Sequence, residues 1–120
     1  MMPIADNESP QPISLNELQM QAHEWRTRNF PGYDARQQFL GMVEEMGELA
    51  HVDLKEEQRI RGMSEAVAHE ARVDAIGDLI IFLTGYCTAM QINLAAAVDN
   101  TWLKVQQRDW VNHPTDGSDE

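Results

Sequence analysis

SEAVAHEARVDAIGDLIIFLTGYCTAM, residues 64–90, decides the fold. Ser64 is an N-cap residue, and nothing after it breaks a helix before Met90. Stepping 100° per residue, Ile76, Leu79, Ile80, Leu83 and Cys87 share one side. Asp74 and Asp78 fall roughly opposite, and with Glu70 they recur every four residues as a narrow acidic stripe. Beyond Asp78 the pattern changes, because Ile81 and Phe82 flank the aspartate's own face one turn on. A helix apolar nearly all round is covered on more than one side, by its own chain or by a partner. No period-two alternation competes with the helical period here or elsewhere in the chain, and no internal repeat is visible.

Working outward, three more helices follow from caps and breakers. Ser14 and Glu17 have capping-box spacing and begin a helix over about 14–28, which Asn29-Phe30-Pro31-Gly32 interrupts. A second helix runs over about 34–59, with Phe39, Val43, Met46 and Ala50 as its apolar stripe, and Gly62 closes that unit. The third covers about 64–90, and Asn93 caps a fourth over about 93–110. The expected architecture is all-α, a four-helix bundle-like domain over residues 13–112. Residues 1–12 read as a flexible arm, and 113–120 as a flexible acidic tail.

The chain has 120 residues, one domain's worth, and a formal charge of −11. That charge opposes binding to polymeric nucleic acid, which requires a basic surface. A small anionic substrate remains compatible if a divalent cation mediates the contact. The single cysteine, Cys87, lies inside the apolar run and reads as a buried structural thiol in a reducing, cytoplasmic setting. No signal-peptide pattern opens the chain, and the apolar run from Leu79 is too short to span a bilayer, so no membrane association is expected.

The second helix carries GMVEEMGELA, residues 41–50, where Glu44, Glu45 and Glu48 crowd together at helical spacing. Such carboxylates repel one another. Glu45 and Glu48 fall opposite the Phe39–Val43–Met46–Ala50 stripe, as Asp74 and Asp78 fall opposite theirs. One reading is a pair of amphipathic helices with solvated acidic faces. The other starts from Asp78, at the edge of an apolar region where an unpaired carboxylate is costly. Arg72 points elsewhere on the helix. A hard divalent cation held between the two helices would satisfy both carboxylate sets.

Glu45-Met-Gly-Glu48-Leu, preceded by Glu44 and followed by Asp74-Ala-Ile-Gly-Asp78, resembles the MazG-like branch of the all-α nucleoside triphosphate pyrophosphohydrolases. Trp25 with Asn29-Phe30-Pro31, LKEEQRIRG at 54–62, and Lys104-Val-Gln-Gln-Arg108-Asp-Trp110 extend the resemblance over about residues 15–112. The resemblance implies a helical enzyme that binds Mg²⁺, with Mn²⁺ as a possible substitute, and cleaves a nucleoside triphosphate to monophosphate and pyrophosphate. Nucleotide-pool house-cleaning and a homodimer or homotetramer are expectations of the same kind. By position, Glu45, Glu48 and Asp78 match metal ligands. The glutamate that the resemblance places three residues before Asp78 is Ala75 here, and Asp74, one turn from Asp78, is the nearest acid. Glu44, outside the ligand pair but one turn from Glu48, is the candidate acceptor of a proton from the attacking water.

Asn100, Lys104 and Arg108 are spaced one helical turn apart and suit phosphate oxygens that the metal leaves uncovered; surface charge is the plainer reading. Lys55, Arg59 and Arg61 beside Gly62 read as a solubilising loop. Of Trp25, Trp102 and Trp110, each of which reads first as a packing anchor, Trp25 is the best candidate to stack on a base, because it adjoins the helix break. Glu48-Leu-Ala-His51 is the one E-x-x-H pattern in the sequence, where a di-iron carboxylate bundle uses two, so that alternative is weak. A non-enzymatic helical dimerisation module is the remaining alternative.

Overall fold

The computed structural model describes residues 11–118 as four α-helices with no strand among them. They are α1 (Leu15–Asn29), α2 (Ala35–Gln58), α3 (Glu65–Ala89) and α4 (Leu94–Val105). The all-α, four-helix expectation therefore holds. Most of the arm expected over 1–12, and the last two residues of the tail, lie outside the described residues.

Each helix begins where a side chain satisfies a backbone N–H that the helix leaves unpaired. Ser14 accepts from the Glu17 N–H, Ser64 from Val67 and Asn93 from Ala96. At α2, Asp34 accepts from the Gln37 N–H while the Gln37 side chain accepts from the Asp34 N–H, a reciprocal capping box. Arg59, in the left-handed region at φ 57°, ends α2.

α3 is the central element. α2 packs along it in an antiparallel hairpin, α1 crosses its C-terminal half, and α4 rests on α1. The α2–α3 register is fixed where the helices come closest. A Cβ on Gly41 would meet the Phe82 ring, and one on Gly85 would lie 2.7 Å from Gln38 Cδ. Glycine at both places lets the helices approach with no side chain between them. Continuing the antiparallel register, Glu45 comes level with Asp78, and Ala75 level with Glu48.

Two expectations about packing are corrected. The Phe39–Val43–Met46 stripe does not face the core: these residues are 50%, 53% and 57% exposed. The α2 face that meets α3 is built instead from Gln38, Gly41, Glu45 and Val52, a set too small and polar to read as a core stripe. Trp102 and Trp110 are likewise largely exposed rather than packing anchors. The second correction concerns α4, which ends at Val105 and does not continue to 110. Asp109 draws the chain away: its carboxylate accepts from the Val111 and Asn112 N–H groups, and its own N–H donates to Gly117 O at 2.8 Å. Local side-chain bonds of this kind compete with continued helix. The segment expected as a tail from 113 is tied back by these bonds as far as Gly117, which is buried.

The buried apolar set is small, consisting of Ala22, Val52, Ala68, Ala75, Cys87 and Leu94. Cys87 is buried as expected, and burial pushes its thiol pKa up. The radius of gyration is 17.8 Å, whereas a compact chain of this length has about 14 Å. Among the described residues no single helix is long and apolar enough to cross a membrane.

Candidate functional site

A cleft of about 1110 Å³ opens between α1, the 30–33 turn and the α2–α3 hairpin. Its aromatic wall consists of Trp25, Phe30 and Tyr33 on one side and Phe82 on the other, with Asp78 at its rim. Trp25 meets Phe30 edge-on, with ring centroids 5.8 Å apart. Tyr33 is fixed twice: its hydroxyl lies 2.7 Å from His23 Nδ1, and the Arg26 guanidinium sits 5.0 Å from its ring centroid. The Asn29-Phe30-Pro31-Gly32 break produces this wall, because Gly32, at φ 77°, turns the chain back so that α1 and α2 flank one opening.

The acidic residues gather on the same side of the hairpin. Stepping 100° per residue from the α2–α3 contact line puts Glu44 and Glu48 on the side of α2 that carries Gln37, which lines the cleft. Asp74 and Asp78 fall on the corresponding side of α3. Burial first, then Asp78, and then Glu44 and Glu48 raise the Glu45 carboxyl pKa above its ordinary value. Glu45 and Asp78 are thus near enough to repel across the helix interface, as the shared register requires. Asp74 is exposed and is not among the groups acting on Glu45. Among the described residues no three acidic, histidine or cysteine side chains stand close enough to hold a metal ion. The donor chemistry, all hard carboxylate oxygen, suits Mg²⁺; of the expected set Glu45, Glu48, Asp74 and Asp78, the structure brings Glu45 and Asp78 to face each other with Glu48 beside Glu45, while Asp74 stands apart from Glu45 and both aspartates are exposed. Arg72 gives no cation to the pair, because it is bound to Asp53 at 2.8 Å and to Glu56 at 3.1 Å.

The other sequence candidates separate clearly. Trp25 does line the cleft beside Asp78. Asn100, Lys104 and Arg108 are exposed and do not line it. Since α4 stops at Val105, Arg108 is not one helical turn from Lys104, and the basic stripe expected on one helix is not formed. His51, the E-x-x-H histidine, is exposed.

Sequence reasoning missed the polar floor of the cleft. Arg26 and Gln38 are only 2% and 6% exposed. Arg26 Nη2 donates to Ile81 O at 2.8 Å and to Thr84 Oγ1 at 3.2 Å, and Thr84 Oγ1 donates to Ile81 O. Among the described residues neither Arg26 Nη1 nor Gln38 Oε1, both buried, has a hydrogen-bond partner, and the two groups lie next to each other at Gly85. One signal in the sequence was the spacing Leu18–Ala22–Arg26, which continues an inward-facing stripe into an arginine. Compared with known proteins, the chain matches no family model and no curated protein.

Proposed function

We propose that this protein is a Mg²⁺-dependent nucleoside triphosphate pyrophosphohydrolase of MazG-like type that serves in nucleotide-pool house-cleaning. The observation that carries the reading is the juxtaposition of two unlike surfaces. An aromatic cleft large enough for a nucleoside carries one carboxylate, Asp78 of α3, in its lining, and Asp78 in turn acts on Glu45 across the α2–α3 interface. A purely solvated acidic face has no need of the cleft, and a purely apolar cleft has no need of the carboxylates.

On this reading Glu45 and Asp78 would hold Mg²⁺ once their side chains and that of Glu48 converge on it, which they do not do in the free chain, and Asp74 would join through its place one turn before Asp78. Ala75, level with Glu48, leaves a position where the resembled family carries a further carboxylate. The chemistry supplied by the bound ion is neutralisation of the triphosphate oxygens and acidification of a water. Glu44, exposed beside the pair, accepts the proton of the attacking water. Trp25 and Phe30 hold the base by stacking and keep the triphosphate directed at the rim. Asn100, Lys104 and Arg108 then act on substrate only if a second copy brings its own set to the cleft, and the homodimer or homotetramer proposed here supplies that copy.

The second reading, a helical dimerisation module, is favoured by the exposed Phe39–Val43–Met46 stripe and the expanded radius. It is compatible with the first. A panel of ribo- and deoxyribonucleoside triphosphates, assayed with Mg²⁺, tests the reaction. Pyrophosphate as first product is expected; orthophosphate first, or no turnover on the whole panel, refutes it.

A further inference from the structure

Arg26 touches both sides of the cleft. On the α1 side its carbonyl accepts from the Phe30 N–H at 2.7 Å, and its guanidinium lies 5.0 Å from the Tyr33 ring centroid. Trp25 is its neighbour in the chain. On the α3 side Nη2 donates to Ile81 O and Thr84 Oγ1, and Cζ packs against Gly85, where a Cβ would lie 2.7 Å away. Ile81 is three residues from Asp78, about 4.5 Å of helix rise. Among the described residues no carboxylate pairs with this buried cation. An uncompensated buried charge is costly, and apolar side chains of similar volume fill such a place as well or better. What they lack is direction: a planar guanidinium fork holds α1 at one distance and angle to α3.

Resting on the pyrophosphohydrolase reading of the cleft, we infer that Arg26 is a positioning residue for the reaction, setting the wall of Trp25, Phe30 and Tyr33 at a fixed distance from Asp78. The base is held at the wall and the phosphates at the rim. That distance therefore decides where the α-phosphorus stands relative to the attacking water. A triphosphate is flexible and reaches the rim from a displaced base, so ground-state binding survives a shift of the wall. The reacting geometry does not survive it, and a misplacement of about 1 Å costs about a hundredfold in rate. Thr84 acts through Arg26: it is fully buried, does not line the cleft, and offers Nη2 an acceptor at 3.2 Å.

The test separates binding from rate in the full chain. Turnover of the four common deoxynucleoside triphosphates with Mg²⁺ is measured beside calorimetric titration of their non-hydrolysable α,β-imido analogues. Arg26→Lys keeps the cation and removes the fork. It should lower kcat at least about tenfold while the dissociation constants of the analogues stay within about threefold of wild type. Thr84→Val, similar in shape, removes one acceptor from Arg26 and should move kcat the same way by a smaller factor. Thr84→Ser, which keeps the hydroxyl, should restore the rate. The Thr84 variants also decide the matter if Arg26→Lys does not fold. A merely structural role would lower analogue binding stoichiometry and turnover together, leaving the folded fraction with the wild-type kcat. That result, a loss of affinity at unchanged kcat, or wild-type kcat and affinity in both Arg26→Lys and Thr84→Val overturns the inference and leaves the reaction standing. A wild type that turns over none of the four triphosphates refutes the reaction and takes the inference with it.

Discussion

Alanine at two glycines of one helix should have opposite effects, and the difference measures the register that places Glu45 level with Asp78. At Gly41 an added Cβ would fall against the Phe82 ring, 2.7 Å from its Cγ and nearer still to two other ring carbons. The atoms met belong to the root and body of the ring, so rotating the end of a flexible side chain does not relieve them. Either Phe82 leaves its rotamer or α2 and α3 separate by about 1 Å, and overpacking of this kind costs about 1–3 kcal/mol. Replacing a helix-interior glycine returns about 1 kcal/mol of propensity. The net for Gly41→Ala is therefore a loss of about 0–2 kcal/mol. At Gly47, two turns on, nothing lies within 4 Å of the new methyl. Gly47→Ala should gain about 0.5–1 kcal/mol. At about 4 °C per kcal/mol for a domain of this size, the two variants should differ in Tm by roughly 2–12 °C, with Gly41→Ala lower. Thermal melts in chelator followed by circular dichroism make the comparison. Equal stabilisation by both would mean that α2 and α3 do not touch at Gly41 and Phe82, and the facing of Glu45 and Asp78 would fall with that contact.

Two further outcomes follow from the site and the surface. Glu45 has its folded pKa raised, so the folded state binds the proton more tightly than the unfolded state. Its contribution to stability is fully present below the unfolded carboxyl pKa and is lost as pH rises through the folded value. Melts of the apo protein across the acid range should show that component, and Glu45→Gln should remove it; an unchanged pH profile contradicts the coupling. The exposed Phe39–Val43–Met46 stripe should be covered in solution, so sedimentation at micromolar concentration should give a dimer or tetramer, and a compact monomer would refute this.

The helices were legible because their starts are local chemistry. Ser14, Ser64 and Asn93 carry the oxygen that an unpaired N–H needs, and such a bond involves only residues three apart. The end of α4 was not legible, since Asp109 turns the chain partly through Gly117, eight residues on. Apolar periodicity found the Phe39–Val43–Met46 stripe but gave no information about what covers it. The α2 face that meets α3 escaped notice because close approach there depends on Gly41, on Gly85 and on buried polar Gln38, none of which raises a hydrophobic signal. For the site, the sequence supplied the carboxylates and Trp25, all residues whose chemistry is visible one at a time. Arg26 and Gln38 acquire their meaning only from being side by side, a relation across two helices that spacing does not encode.

The central claim, that Glu45 and Asp78 repel in the free protein because they are built to share a cation with substrate, is tested most directly at Asp78. Asp78→Asn keeps the shape and removes one charge from the facing pair. Melting curves of wild type and variant, each in chelator and in Mg²⁺, are read beside one triphosphate turnover assay. In chelator the variant should melt level with wild type or slightly above it, since relief of one like-charge pair is worth about 0.2–0.5 kcal/mol, or roughly 1–2 °C. In Mg²⁺ the wild type should gain stability and the variant should gain less, because a ligand to the ion is lost, and turnover should be abolished. A variant that melts well below wild type in chelator yet still hydrolyses triphosphates would contradict the account.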